Sequence, residues 1–129
     1  MKSPKPTLEH CPCESGKPYA ACCGPYHQGV PAPAAEALMR SRYTAYVLEL
    51  ESYLLTTWHP DTRPTALNLA EEPPVKWLGL QVKHAEITGE TTAKVEFVAR
   101  YKIGSKAEKM HEISQFMRVN EKWYYLEAT

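Results

Sequence analysis

The chain has 129 residues, the size of one domain around one core. Hydrophobic residues make up 43% of it and charged residues 23%, which excludes an unstructured polar chain. The 15 basic and 15 acidic side chains cancel, so a general phosphate-binding surface is not expected and nucleic acid is a poor partner.

The first residues, Met1, Lys2, Ser3, Pro4, Lys5 and Pro6, have no apolar run behind them, so no secretory signal is expected. No window approaches the apolar length of a membrane span. The expected setting is the reducing cytoplasm, where clustered cysteines bind metal more often than they pair.

The chain's four cysteines, Cys11, Cys13, Cys22 and Cys23, fall in the string CPCESGKPYAACC. Pro12 keeps the first pair out of a helix, and Glu14 to Pro18 form a turn-prone stretch. A short helical turn over Tyr19, Ala20 and Ala21 then carries the second pair back. Four thiolates gathered this way make a soft tetrahedral site, for which Zn²⁺ is the best-fitting ion. Disulfides compete, but Cys11–Cys13 and Cys22–Cys23 bridges would close strained rings, leaving only cross-pairings. A redox-active pair also competes, without the C-x-x-C spacing. Four buried free cysteines are the third alternative, in a stretch too polar to favour them. His10 and His27 are near enough to replace one cysteine as a ligand, or are surface residues. Four sulfurs fill the coordination sphere, so the expected metal is structural and not catalytic. A module of about 25 residues cannot bury enough to fold alone, whereas zinc coordination supplies on the order of 10–16 kcal/mol.

Gly24, Pro25, Gly29, Pro31 and Pro33 mark a linker. From about Ala34 the pattern is helical: Met39, Tyr43, Tyr46, Val47, Leu50, Tyr53 and Leu54 recur at three- and four-residue steps. That periodicity fits either one helix running to Thr57 or a bend near Leu50, and His59-Pro60 ends it. Asp61 to Pro74 is an irregular connection with room for one helical turn over Thr65 to Ala70. After Pro74 the period becomes two. Strands are expected around Leu78–His84, Ala93–Ile103, Glu108–Val119 and Trp123–Glu127, with turns at Gly89-Glu90, Gly104-Ser105 and Asn120-Glu121. Helices followed by an antiparallel meander make an α+β fold, a curved sheet wrapped around the aromatic face of the helix.

The string CPCESGKPYAACCGPYH resembles the SEC-C motif, a zinc-binding motif also found at the C-terminal tail of the bacterial preprotein-translocase motor. ALMRSRYTAYV, YLLTTWHPDTRP, WLGL, VEFVARYK, HEISQF and WYYLE, in that order, are similar to the YchJ (UPF0225) family, which joins SEC-C to an NTF2-like domain. The resemblance implies a SEC-C-type zinc module over residues 1–29 and an NTF2-like cone over residues 34–129. In many relatives such a cone encloses a pocket between helix and sheet. No reaction is implied. The usual C-P-C-G-S-G has Glu14 at its first glycine here, which costs about 1 kcal/mol if that position needs a positive φ. Longer relatives carry a second cysteine motif, of which this sequence has no copy.

In the third strand, Glu112, Ser114, Phe116 and Arg118 share one face, and His111, Ile113, Gln115 and Met117 the other. Either inward face brings a titratable group, a standard setting for acid–base chemistry. Arg42, Tyr46, Trp58, His59, Glu112 and Ser114 form the candidate pocket, with Arg40 a further partner. The plainer alternatives are an Arg–Glu pair that fixes register, a helix-capping His59 and aromatic side chains that are simply core. Two functions compete. The first is a zinc-binding adaptor whose knuckle, with Glu14, Lys17, Tyr19 and Tyr26, contacts a protein partner, since the SEC-C resemblance implies protein or ribosome contact. The second is an isomerase- or dehydratase-like enzyme, or a binding protein for a small-molecule ligand, using the NTF2-like pocket with Glu112 or His111 inside.

Overall fold

A computed structural model of the chain describes residues 10–69 and 74–128. The cysteine segment doubles back, makes a 3₁₀ turn at Tyr19–Ala21 and enters a short helix, α1 (Cys23–His27). Gly24 and Pro25, expected in the linker, lie inside α1 instead. Pro25 falls in the first turn, where a missing N–H leaves no helical bond unmade. Gly24 passes so close to Tyr19 that a Cβ would stand 2.9 Å from its carbonyl oxygen. The linker therefore begins at Gln28.

Two helices follow, α2 (Ala35–Val47) and α3 (Glu51–Thr56). The bend between them is a Schellman closure: the Leu50 N–H donates to the Ala45 carbonyl at 2.8 Å and the Glu49 N–H to Tyr46 at 3.3 Å. Glu49 occupies the left-handed position at φ 60° that glycine usually fills. The helical turn expected over Thr65 to Ala70 does not form in its described part, and Ala70 itself lies outside the described residues. The Glu51 carboxylate accepts the Leu67 and Leu69 N–H groups at 3.0 and 3.4 Å, so these backbone donors bond to a side chain across the bend.

Four strands, β1 (Val75–Ile87), β2 (Thr92–Ile103), β3 (Lys106–Val119) and β4 (Lys122–Ala128), form one antiparallel sheet in sequential order. Asn120 and Glu121 both have positive φ, as the tight β3–β4 hairpin requires. Register shifts at Trp77/Gly79, Val82/His84 and Gln115/Phe116 bend the strands, which is how a meander curls around a helix. Val95, Phe97, Ala99, Phe116 and Trp123 bury against Leu38, Met39 and Tyr43 of α2, and Cys11, Cys13 and Cys23 belong to the same cluster. Knuckle and cone thus share one core. No helix among the described residues is long and apolar enough to cross a membrane.

Candidate metal centre and interior cavity

The turn from Cys11 to Cys23 is set by its own backbone. The Cys11 N–H donates to Lys17 at 2.8 Å, the Glu14 N–H to Cys11 at 2.9 Å and the Cys22 N–H to Tyr19 at 3.0 Å. These bonds bring the four Sγ atoms within 4.8 Å of one another. Cys13 and Cys22 are 3.6 Å apart and Cys22 and Cys23 4.0 Å apart. A tetrahedron with metal–sulfur bonds of 2.3 Å has edges of about 3.8 Å, so the cluster already has the dimensions of a four-thiolate site. The same spacing is far beyond a disulfide bond, and all four cysteines are free. Cys11, Cys13 and Cys23 are buried, and Cys22, half-exposed, lies 3.0 Å from the Ser15 hydroxyl.

The electrostatics favour a cation. Hydrogen bonds from Cys13, and then from Cys23, hold the Cys11 thiol well below its ordinary pKa. The same bonds to Cys11 push Cys13 and Cys23 up. Without a metal, one thiolate is stabilised at its neighbours' expense; four require added positive charge at their centre.

Neither histidine joins the cluster among the described residues. His27 Nε2 faces the Ser41 carbonyl at 2.8 Å and therefore carries the proton, leaving Nδ1 to accept from the Tyr19 hydroxyl at 2.7 Å. Burial lowers its pKa. His10 is exposed. Tyr19 is thus committed inward, and Tyr26 is half-buried against the core; of the four expected partner contacts, Glu14 and Lys17 stand exposed.

Three side chains fasten the knuckle to the cone. Arg40 donates to the Cys13 carbonyl at 2.8 Å, and Thr44 Oγ1 lies 3.6 Å from Cys11 Sγ. Glu14 has φ 63°, so the expected backbone penalty applies, and its carboxylate accepts the Leu80 N–H at 3.0 Å on the outer edge of β1. Gly79 leaves room for that reach, because a Cβ there would strike the Glu14 carboxylate and the Arg100 guanidinium. Replacing Glu14 with glycine relieves about 1 kcal/mol of strain but loses a charge-assisted bond of about 1.5–3 kcal/mol, reduced here by solvent screening. The expected outcome in urea denaturation is a net loss of about 1 kcal/mol. A Gly variant more stable than the parent would show the carboxylate bond to be idle.

Inside the cone, α2 and the sheet enclose a cavity of about 280 Å³. Arg42, Tyr46, Glu112 and Ser114 line it, as do Trp77, Phe97, Phe116 and Tyr125. Trp58 and His59, placed in the pocket set from sequence, do not. The Thr57 carbonyl and the His59 N–H pair with Tyr125, which holds this segment along β4, outside the cavity. Trp58 packs edge-on against Tyr125 at 4.9 Å, and His59 Nδ1 accepts the Asp61 N–H at 3.1 Å. His111 faces away, 2.7 Å from Glu96. Tyr125, which sequence reasoning missed, could have been found from its position two residues after buried Trp123 on the same strand.

Arg42 makes no ion pair with Glu112. Its Nη1 donates to the Leu54 carbonyl at 2.8 Å and to Thr57 Oγ1 at 2.7 Å. Its guanidinium carbon stands 5.1 Å from the Trp58 ring centre and 4.5 Å from that of Tyr125. Burial lowers its pKa to about 10, so it stays charged at neutral pH.

A four-cysteine knuckle seated on a hollow helix-and-sheet cone defines the class: a SEC-C module joined to an NTF2-like domain. The model of the middle NTF2-like domain of YchJ matches residues 34–128, and that of the SEC-C motif matches residues 9–25. The chain belongs to the YchJ-like UPF0225 family. It is 56% identical to a UPF0225 protein of Chromobacterium violaceum, covering 98% of this chain and 96% of that one. A UPF0225 protein of Xanthomonas campestris is 51% identical, with 98% of each chain covered. Among solved structures, a SEC-C motif containing protein from Rhodopseudomonas palustris superposes with a TM-score of 0.83 at 36% identity, over 93% of this chain and 97% of that one. Another from Psychrobacter arcticus gives 0.81 at 31% identity, over 94% and 82%.

Proposed function

We propose that this chain is a Zn²⁺-stabilised binding protein in which the metal is structural. The observation that carries this reading is the convergence of four cysteine sulfurs within 4.8 Å, three of them buried in the shared core. All-sulfur donors select a soft or borderline ion, and Zn²⁺ fits without redox chemistry. With four protein ligands no position is open to water or substrate, so the ion holds the knuckle's shape. Elemental analysis of reductively purified protein should find one Zn²⁺ per chain; a metal-free, folded protein would refute the assignment.

The rigid turn around Lys17 is the surface we assign to a protein partner. Lys17 is exposed between Gly16 and Pro18, both exposed as well, while Tyr19 and Tyr26 are half-buried against the core. A Lys17→Glu variant should retain its metal and lose its co-purifying partners. Identical partner lists for parent and variant would defeat this surface.

A second reading concerns the cone, which we assign to a small-molecule ligand. It is favoured by one observation: the space between α2 and the sheet is open and polar groups face it. The two readings are compatible, since knuckle loop and cavity use different residues.

A further inference from the structure

Polar groups with unused bonding capacity converge in the cavity. Arg42 uses Nη1 for its bonds to Leu54 and Thr57, while Nε and Nη2 make no hydrogen bond among the described residues. No fully enclosed side-chain nitrogen or oxygen among the described residues lacks a partner, so these N–H groups keep some exposure, and Arg42 lines the cavity. The hydroxyl of buried Ser114 and the carboxylate of half-buried Glu112 likewise make no side-chain bond there among the described residues. Buried Arg42 bonds to Leu54 and Thr57 and packs over the Trp58 and Tyr125 rings, but it makes no ion pair with Glu112, so its charge lacks a carboxylate counter-ion there.

Resting on the reading of the cone as a ligand site, we propose that the cavity binds a single-ring organic carboxylate with an O–H or N–H donor at its far end. The carboxylate sits on Arg42 and the Ser114 hydroxyl, the ring lies among Tyr46, Trp77 and Phe97, and the distal donor meets Glu112. Size supports one ring: about 280 Å³ lies just below the usual range of about 300–1,000 Å³ for ligand pockets. Charge supports a monoanion, because one guanidinium balances one carboxylate, whereas a phosphate dianion would meet too few donors and an opposing Glu112. The free N–H groups of Arg42 suit a planar two-oxygen acceptor.

The test is titration of the intact, zinc-loaded chain with 4-hydroxybenzoate, benzoate and phenol, followed by ¹H–¹⁵N NMR. Expected is saturable movement of the Ala99, Ser114 and Phe116 amides, with phenol weaker than 4-hydroxybenzoate by about tenfold or more, as loss of a charge-assisted bidentate contact requires. Glu112→Leu should abolish the preference for 4-hydroxybenzoate over benzoate. Since Arg42 also anchors Leu54 and Thr57, its own substitution risks the fold; Ser114→Leu blocks the cavity without touching it and should abolish binding. Phenol binding as tightly as 4-hydroxybenzoate would overturn the anion assignment and leave the hollow-cone reading standing. Unchanged 4-hydroxybenzoate affinity in Ser114→Leu would place the ligand elsewhere and overturn the proposal. No response to any probe at ~10 mM would overturn the cone reading with it.

Discussion

Chelation of the metal under reducing conditions will unfold the segment from Cys11 to Gln28 and loosen α2 with it. Structural zinc sites of the kind proposed here contribute about 10–16 kcal/mol, comparable to the whole stability of a domain, about 5–15 kcal/mol, so loss of the metal cannot remain local unless the knuckle is independent of the cone. It is not independent. Cys11, Cys13 and Cys23 lie in one cluster with Leu38 and Met39, and Cys11 touches Thr44 on α2. The expected signatures are collapsed amide dispersion over residues 11–28, shifts at Ser41 and Thr44, and a Tm lower by more than about 10 °C. Cys13→Ser should behave like chelation. Acid should act in the same direction. Burial holds the His27 pKa below its ordinary 6.5, so the unfolded chain takes up a proton that the folded one refuses. His27 therefore contributes stability above about pH 6.5 that is lost as the pH falls below it, while protons also compete for the thiolates. A spectrum unmoved by EDTA would remove the metal from the account of this fold.

This coupling gives the knuckle two jobs in one piece of backbone. Its inner side completes the core beside α2, through the cysteines, Tyr19 and His27. Its outer side leaves Lys17 free on a loop whose position relative to the cone is fixed by Arg40 and by Glu14 on the β1 edge. A partner bound at the proposed Lys17 surface would therefore hold the whole molecule. The same fastening places Glu14 on the outer edge of the strand pair that carries Trp77 and Phe97 into the cavity wall.

How far the sequence foretells this depends on how local the cause is. The cysteine spacing and the Pro12 and Gly16 turn are local, so the convergence of Cys11, Cys13, Cys22 and Cys23 is legible directly. Period-two alternation announces the strands, the α+β class follows from the order of the elements, and the NTF2-like cone is implied by the family resemblance. The bend near Leu50 is legible only as one of two alternatives, because its left-handed residue is Glu49 and nothing in a glutamate signals φ 60°. Glu14 could be recognised as a departure from a glycine position, but not as a clasp, since its partner Leu80 lies sixty-six residues away. Within the pocket set, Arg42, Tyr46, Glu112 and Ser114 follow from helix and strand faces. Trp58 and His59 were misplaced because their position depends on pairing with Tyr125, a non-local contact outside any periodic pattern.

Phe116→Ala will markedly destabilise the cone. Phe116 is 1% exposed, packs edge-on against Tyr125 with ring centres 5.8 Å apart and joins the face that carries Ser114 and Glu112. Buried Phe→Ala changes cost about 3–5 kcal/mol, from lost transfer energy and from the void left behind. Here one side of the ring already borders open space, so fewer packing contacts are lost than in a closed core and the value should lie near ~3 kcal/mol. That corresponds to a Tm about 10 °C lower, whereas Phe116→Leu, closer in volume, should cost under ~1.5 kcal/mol. The void also merges with the cavity, so Tyr125 loses one of its two edge-on ring contacts while keeping Trp58, and Arg42 keeps its bonds to Leu54 and Thr57. Urea denaturation of both variants with zinc bound measures the difference. A loss below ~1 kcal/mol for the alanine variant would mean that β3 and β4 close over the gap, and the cavity would then be a soft feature of the cone and not a held one.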